Sequence, residues 1–287
     1  MKKLICLLFI PLLLLNGCGK QGNNQAEQHI EVEAASKYTT EKKTIYRGDL
    51  KIAGELYVPK NEKKVFPLLI MSHGFGGNMD GLKNDAYTFT KKGYMTFVYD
   101  FIGGGFSIKS DGKMTEMSVL TEASDLNTVI DYLKQDTRVS SNHIFLLGQS
   151  QGGFVSTYVA GTRSDIKGLL DFYPAFCIKD DALEQYPDAS KVPDPYQMTK
   201  MGTTLGKIYY TDVCSFDIYE IMANVKCETL LLHGTADNVV PVSYAQRAAT
   251  VIPHCTYIEL KGAGHGFSGS DSTKAINASL ELMSNNL

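Results

Sequence analysis

The sequence predicts an α/β chain in which a mostly parallel sheet is covered by helices on both faces and carries a small inserted cap. Short, nearly continuous apolar runs recur at 67–71, 95–99, 144–147, 168–172, 229–232 and 256–260, the pattern of strands buried on both faces. Between several of them lie stretches with apolar residues at helical spacing, clearest at 118–135, 151–162, 242–251 and 271–284, so strand alternates with helix. One interval, about 174–226, breaks the alternation with prolines and many tyrosines, and is read as a cap over the carboxyl edge of the sheet.

At the amino end, Lys2 and Lys3 precede an apolar run from Leu4 to Leu15 that is too short to span a bilayer as a stable helix. Residues 1–17 are therefore expected to be an export signal. The run ends in Leu15-Asn16-Gly17-Cys18, which resembles a bacterial lipobox and implies a lipoprotein-type signal peptide, acylation of Cys18 and anchoring at the membrane or cell surface. Residues 18–40, rich in Gln, Asn, Gly, Glu and Lys, read as a flexible tether, which assigns 41–287 to the folded domain. From residue 42 the alternation around Ile45, Ile52, Leu56 and Val58, broken by Gly48-Asp49 and stopped by Pro59, predicts two antiparallel strands at the entrance to the sheet.

The 287 residues, 44% of them hydrophobic, suffice for a large core, and a formal net charge of -3 supplies no basic surface for nucleic acid. Cys6 lies in the signal, leaving Cys177, Cys214, Cys227 and Cys255 beside Cys18. They form no CxxC pair and have no histidines at ligand spacing, so no metal site is expected. Buried free thiols are one reading of these four, and a bridge between Cys227 and Cys255 is the other.

The chemistry is concentrated in Gly148-Gln-Ser-Gln-Gly152, where a buried strand turns directly into a helix. A residue at so sharp a turn is forced into strained backbone, and its neighbours two positions away must lack Cβ atoms. The turn exposes the Ser150 hydroxyl beside a helix amino terminus. Serine is a weak nucleophile and needs a base held by a carboxylate, both downstream in this strand-turn-helix setting. His265, in Gly262-Ala-Gly-His-Gly-Phe267 after the last predicted strand, is the expected base. Asp237, which follows the strand 229–232, is the expected orienting carboxylate, with Asp217 as its competitor and helix capping as its alternative duty. His233 is read as a local hydrogen-bond partner closing its strand. The oxyanion donors are assigned to the backbone N–H of Gln151 and, in the glycine-rich loop Ser72-His73-Gly74-Phe75-Gly76-Gly77, to that of Phe75.

Together these residues resemble the α/β-hydrolase superfamily from about residue 42 to the end. Within it, His73–Gly77, Asp100-Phe-Ile-Gly-Gly-Gly105 with Ser107 and Ser110-Asp-Gly112, Gly148–Gly153 and His233–Asp237 are most similar to the bacterial cinnamoyl (feruloyl) esterases, as are Asp181-Ala-Leu183 and Ile218-Tyr-Glu220 in the cap. The resemblance implies the α/β-hydrolase fold, hydrolysis of hydroxycinnamate esters, and contact of Asp181 and Tyr209 with the hydroxyls of a phenolic ring. Gln149 stands where that family has histidine, and Glu184-Gln-Tyr-Pro-Asp188 offers no counterpart to a further family glutamine.

The expected partner is a small-molecule ester, handled without metal or organic cofactor, since no phosphate loop, dinucleotide fingerprint or zinc helix is present. The rivals are a broad short-chain carboxylesterase or serine peptidase of the same fold and, from another class, a surface-tethered binding protein without catalysis.

Overall fold

The computed structural model describes residues 37–287. The expected signal at 1–17, Cys18 and the expected tether as far as residue 36 lie outside the described residues. The folded domain begins before the expected residue 41: Tyr38, Thr39 and Thr40 open the first strand, paired with Pro59, Val58 and Tyr57. Tyr38 is held there by stacking on Tyr87 at 5.5 Å and packing edge-on to Tyr57 at 5.9 Å. Burying an aromatic ring against two others supplies the apolar contact that composition alone did not promise.

The chain begins with an antiparallel hairpin, β1 (Tyr38–Arg47) and β2 (Leu50–Pro59), and continues through β3 (Phe66–Ser72), α1 (Lys83–Lys91), β4 (Met95–Tyr99), α2 (Val119–Leu133), β5 (Val139–Gln149), α3 (Gln151–Thr162) and β6 (Gly168–Phe172). The cap follows, with α4 (Ile178–Gln185), the short hairpin β7 (Tyr196–Met198) and β8 (Thr203–Leu205), α5 (Lys207–Cys214) and α6 (Ile218–Met222). β9 (Glu228–Gly234), α7 (Val242–Val251), β10 (Cys255–Leu260) and α8 (Gly269–Asn285) complete the fold.

Among the described residues, eight strands form one sheet in the order β1-β2-β4-β3-β5-β6-β9-β10, in which β2 alone runs antiparallel to its neighbours, β1 and β4. The central strands β3 and β5 are apolar on both faces because both faces are covered: Leu68, Leu69, Ile70 and Met71, and Ile144, Phe145, Leu146 and Leu147, are all fully buried. α1 and α8 touch one another and pack on the sheet, while α2, α3, α6 and α7 form a second chain of contacting helices. Helices thus lie on both faces, as a parallel sheet requires.

The cap occupies Tyr173 to Cys227, between β6 and β9, close to the expected 174–226. Its hairpin and helices were not legible as separate elements. Two side-chain ties fix its helix α5 to the core. Asp212 accepts from the Ser118 hydroxyl that caps α2, and Tyr209 donates to Gln151 in the first turn of α3.

Candidate active site

Ser150 is the single residue between β5 and α3, with φ 54 and ψ -119. A non-glycine residue in that region costs on the order of 1–3 kcal/mol and persists only where its surroundings impose it. Here they do. A Cβ at Gly148 would lie 2.3 Å from the Gly152 carbonyl oxygen, and one at Gly152 would lie 2.4 Å from that of Ser72. The glycines therefore let β5, α3 and the end of β3 converge behind the serine. The Ser150 N–H donates to Phe172 O at 3.0 Å, and the Ser150 carbonyl accepts from Gly153 and Ala175, so the strained turn is fixed from both sides.

The loop after β10 brings His265 over the sheet edge. Its Nε2 lies 3.0 Å from Ser150 Oγ and its Nδ1 2.8 Å from Asp237 Oδ2. Asp237 follows β9 and uses its other oxygen to accept the N–H groups of Val239 and Val240, each at 2.9 Å. That division fixes the carboxylate plane and leaves Oδ2 for the imidazole. With Nδ1–H donated to Asp237, Nε2 carries a lone pair toward the serine hydroxyl, the tautomer required to accept its proton. Asp217, the competitor, instead caps α6 by accepting from the Tyr219 N–H at 2.9 Å.

His233 lies behind this group. Its Nε2 donates to Val240 O at 2.9 Å and sits 3.2 Å from Asp237 Oδ2, and burial holds its pKa below the usual histidine value, so it stays neutral. It thereby braces the turn that places Asp237.

The loop 73–77 is pinned by His73. The Phe101 N–H donates to His73 Nε2 at 3.2 Å, which makes Nδ1 the protonated nitrogen that donates to Gly74 O at 2.8 Å. Burial lowers the pKa of this imidazole as well, keeping that tautomer neutral. The amides of Gly76 and Gly77 are engaged by Gly104 O and Gly74 O. Phe75 lines the same cavity as Ser150 and Gln151, and Gln151 opens α3, where its N–H has no acceptor within the helix. Asp100, conspicuous in the sequence without an assigned role, accepts from the N–H of Met79 and of Lys109 and so ties the segment after β3 to the loop after β4.

Above these groups lies a cavity of about 370 Å³, lined by Phe75, Tyr173, Ile178, Met198, Tyr209 and Val240, among others. Asp181 and Tyr209 both line it, as the resemblance implies, yet both have partners. Lys200 Nζ lies 2.8 Å from each Asp181 oxygen, and the Cys177 thiol donates to Asp181 at 3.2 Å. Tyr209 donates its hydroxyl to Gln151 Oε1 at 2.6 Å.

Sequence reasoning missed Lys200, Tyr173 and the side chain of Gln151. Tyr173 has φ 41 and lays its ring edge-on to His265 at 4.9 Å. Lys200 comes from the β7–β8 turn, and no local pattern announces its approach to Asp181. The cysteines Cys177, Cys214, Cys227 and Cys255 are free, which decides the question of a bridge. Among the described residues no group of three or more His, Cys, Asp or Glu is placed to hold a metal ion.

Fold and site together define an α/β hydrolase. Residues 63–210 match the family model described as Serine aminopeptidase, S33, and the chain belongs to that family. Among solved structures, it is similar to Est1E from Butyrivibrio proteoclasticus with ferulic acid bound, at 25% identity and a TM-score of 0.77, over 85% of this chain and 98% of that one. It also shares its fold with an acetyl xylan esterase from Paenibacillus sp. R4, at 17% identity and a TM-score of 0.65, over 94% of this chain and 96% of that one. The α/β hydrolase domain-containing protein aho-3 of Caenorhabditis elegans is 30% identical over 174 residues, 59% of this chain and 43% of that protein. An uncharacterized 31.7 kDa protein of Escherichia coli is 32% identical over 103 residues, 36% of this chain and 35% of that one. The chain thus matches less than half the length of these curated relatives.

Proposed function

We propose that the protein is a serine esterase that cleaves small carboxylic esters through an acyl-enzyme on Ser150, with hydroxycinnamate-type acyl groups as its substrate class. The observation that carries this reading is His265, which spans from Asp237 to Ser150 under an apolar cavity. Ser150 Oγ attacks the ester carbonyl while its proton passes to His265 Nε2, and Asp237 steadies the imidazolium. The carbonyl oxygen becomes an oxyanion facing the N–H groups of Phe75 and Gln151, each worth about 2.7–4 kcal/mol in the transition state. Collapse breaks the bond to the alcohol, which leaves with the proton from Nε2. Water, deprotonated by the same nitrogen, then cleaves the acyl-enzyme and restores Ser150.

The acyl class is supported by the likeness to Est1E and by a cavity whose lining includes Asp181 and Lys200 as well as Ser150. The family's description favours a second reading, removal of an amino-terminal residue from a peptide. Such a substrate brings an α-ammonium that needs a free carboxylate. Asp181, the one carboxylate among the described residues that line the cavity, is already paired with Lys200, which favours the ester. The reading also includes export and acylation of Cys18, on the strength of the amino-terminal sequence alone.

Turnover of p-nitrophenyl acetate, methyl ferulate and alanine p-nitroanilide separates these readings. We expect both esters to be cleaved, methyl ferulate with the higher kcat/KM, and Ser150→Ala to abolish both. Faster cleavage of the anilide than of either ester would establish the peptidase instead, and silence toward all three, with no labelling by a fluorophosphonate, would leave a binding protein.

A further inference from the structure

We infer that Tyr209 is a positioning residue for the oxyanion site, through which the cap sets the activity of the core, and this rests on the serine hydrolase reading above. Both proposed oxyanion donors are backbone groups, and a backbone donor is only as well placed as the side chain that anchors it. Tyr209 touches both anchors. Its ring packs edge-on to Phe75 with centroids 6.1 Å apart, and its hydroxyl donates to Gln151 Oε1 at 2.6 Å.

The Gln151 side chain is held at its other end too. Its Nε2 donates to Glu122 Oε2 on α2 at 2.8 Å, so the amide is stretched between the cap and the opposite helix. Glu122, Gln151 and Tyr209 are each 1% exposed, which strengthens these bonds relative to bonds in water. A buried chain of hydrogen bonds is directional and stiff. Its stiffness is delivered to the residue that opens α3, next to Ser150.

The geometry also bears on the phenol contact that resemblance implies for Tyr209. A tyrosine hydroxyl has one proton, and here it is given to Gln151. A role in reading a substrate hydroxyl acts on KM and only for esters that carry one. A positioning role acts on kcat for every ester, including acetates too short to reach the ring.

The test is Tyr209→Phe, which keeps the ring and removes the bond to Gln151. The comparison variant is Asp212→Asn, which weakens the other tie of α5 to the core, at Ser118, without touching Gln151. Kinetics with p-nitrophenyl acetate and methyl cinnamate, neither with a ring hydroxyl, are combined with the rate of fluorophosphonate labelling of Ser150. We expect Tyr209→Phe to lower kcat and the labelling rate about tenfold, part of the value of one oxyanion donor, with KM within about twofold. Asp212→Asn should leave both rates near wild type. In a double-mutant cycle, Tyr209→Phe should add little to Gln151→Leu, which already removes that bond together with the one to Glu122.

A wild-type labelling rate in Tyr209→Phe, a loss confined to KM for hydroxylated substrates, or an equal loss in Asp212→Asn each overturns the inference. A wild-type protein that is never labelled overturns the serine reading itself, and the inference with it. The outcomes are therefore distinguishable.

Discussion

Gly152 lies so close to Ser72 that a methyl group on its α-carbon would come within 2.4 Å of the Ser72 carbonyl oxygen. The contact joins the first turn of α3 to the last residue of β3, and the turn at Ser150 depends on it. Gly152→Ala is expected to push α3 away from β3, lowering stability by about 1–3 kcal/mol as overpacking does, and removing most activity. Thermal unfolding and esterase assays check this. A variant with unchanged melting temperature and turnover would refute the close-packing account.

Asp237→Asn should be far more damaging than its size suggests. Oδ1 accepts two backbone N–H groups, so the asparagine oxygen takes that place and its NH₂ falls where Oδ2 met His265. A donor then faces the Nδ1–H donor, which turns the imidazole to the tautomer with its proton on Nε2, unable to accept from Ser150. We expect a fall in kcat of about 10⁴-fold near neutral pH with the fold intact. A loss below about tenfold would exclude the orienting role for Asp237.

Lys200→Met tests what the cavity wall selects. The ion pair with Asp181 is partly exposed, and its loss should change stability by no more than about 1 kcal/mol. Without the ammonium, Asp181 is free to accept a phenolic O–H. The ratio of kcat/KM for methyl p-coumarate over methyl cinnamate is therefore expected to rise by about tenfold, the worth of a charged hydrogen bond. A ratio that falls would mean that Lys200, rather than Asp181, contacts the ring.

Cys177 lines the cavity but should be inert. Burial, reinforced by the Asp181 carboxylate beside it, pushes its thiol up to about 12. The reactive thiolate is then a fraction of about 10⁻⁴ at pH 8 and gains about tenfold per pH unit until the thiol titrates. Iodoacetamide at pH 8 should leave Cys177 unmodified in the folded protein and alkylate it on denaturation, as peptide mass spectrometry would show. Rapid labelling of the native protein would contradict this.

The sheet was legible because its signals are local. Leu68 to Met71 and Ile144 to Leu147 announce buried strands by composition, and Gly148-Gln-Ser-Gln-Gly152 announces its turn by spacing. Ser150, Asp237 and His265 follow from the same logic, since each sits just after a recognisable strand. What escaped notice depends on approach through space. Lys200 meets Asp181 from a hairpin turn, and Gln151 is anchored by Glu122 and Tyr209, far away along the chain. α1 was missed for another reason. Its sequence, Lys83-Asn-Asp-Ala-Tyr-Thr-Phe-Thr-Lys91, buries only Ala86, Phe89 and Thr90, too thin a stripe to stand out.

The cap leaves the sheet after β6 and re-enters it at β9, and those two strands are neighbours in the sheet. Its ends are therefore spliced side by side onto a frame that does not need it to close. Such an insert can be exchanged for one of different length, giving new substrate ranges while leaving the reacting groups alone. The exceptions are the thread from Tyr209 to Gln151 and, where the cap begins, the contacts of Tyr173 with His265 and of Ala175 with Ser150, which any replacement would have to keep or supply afresh.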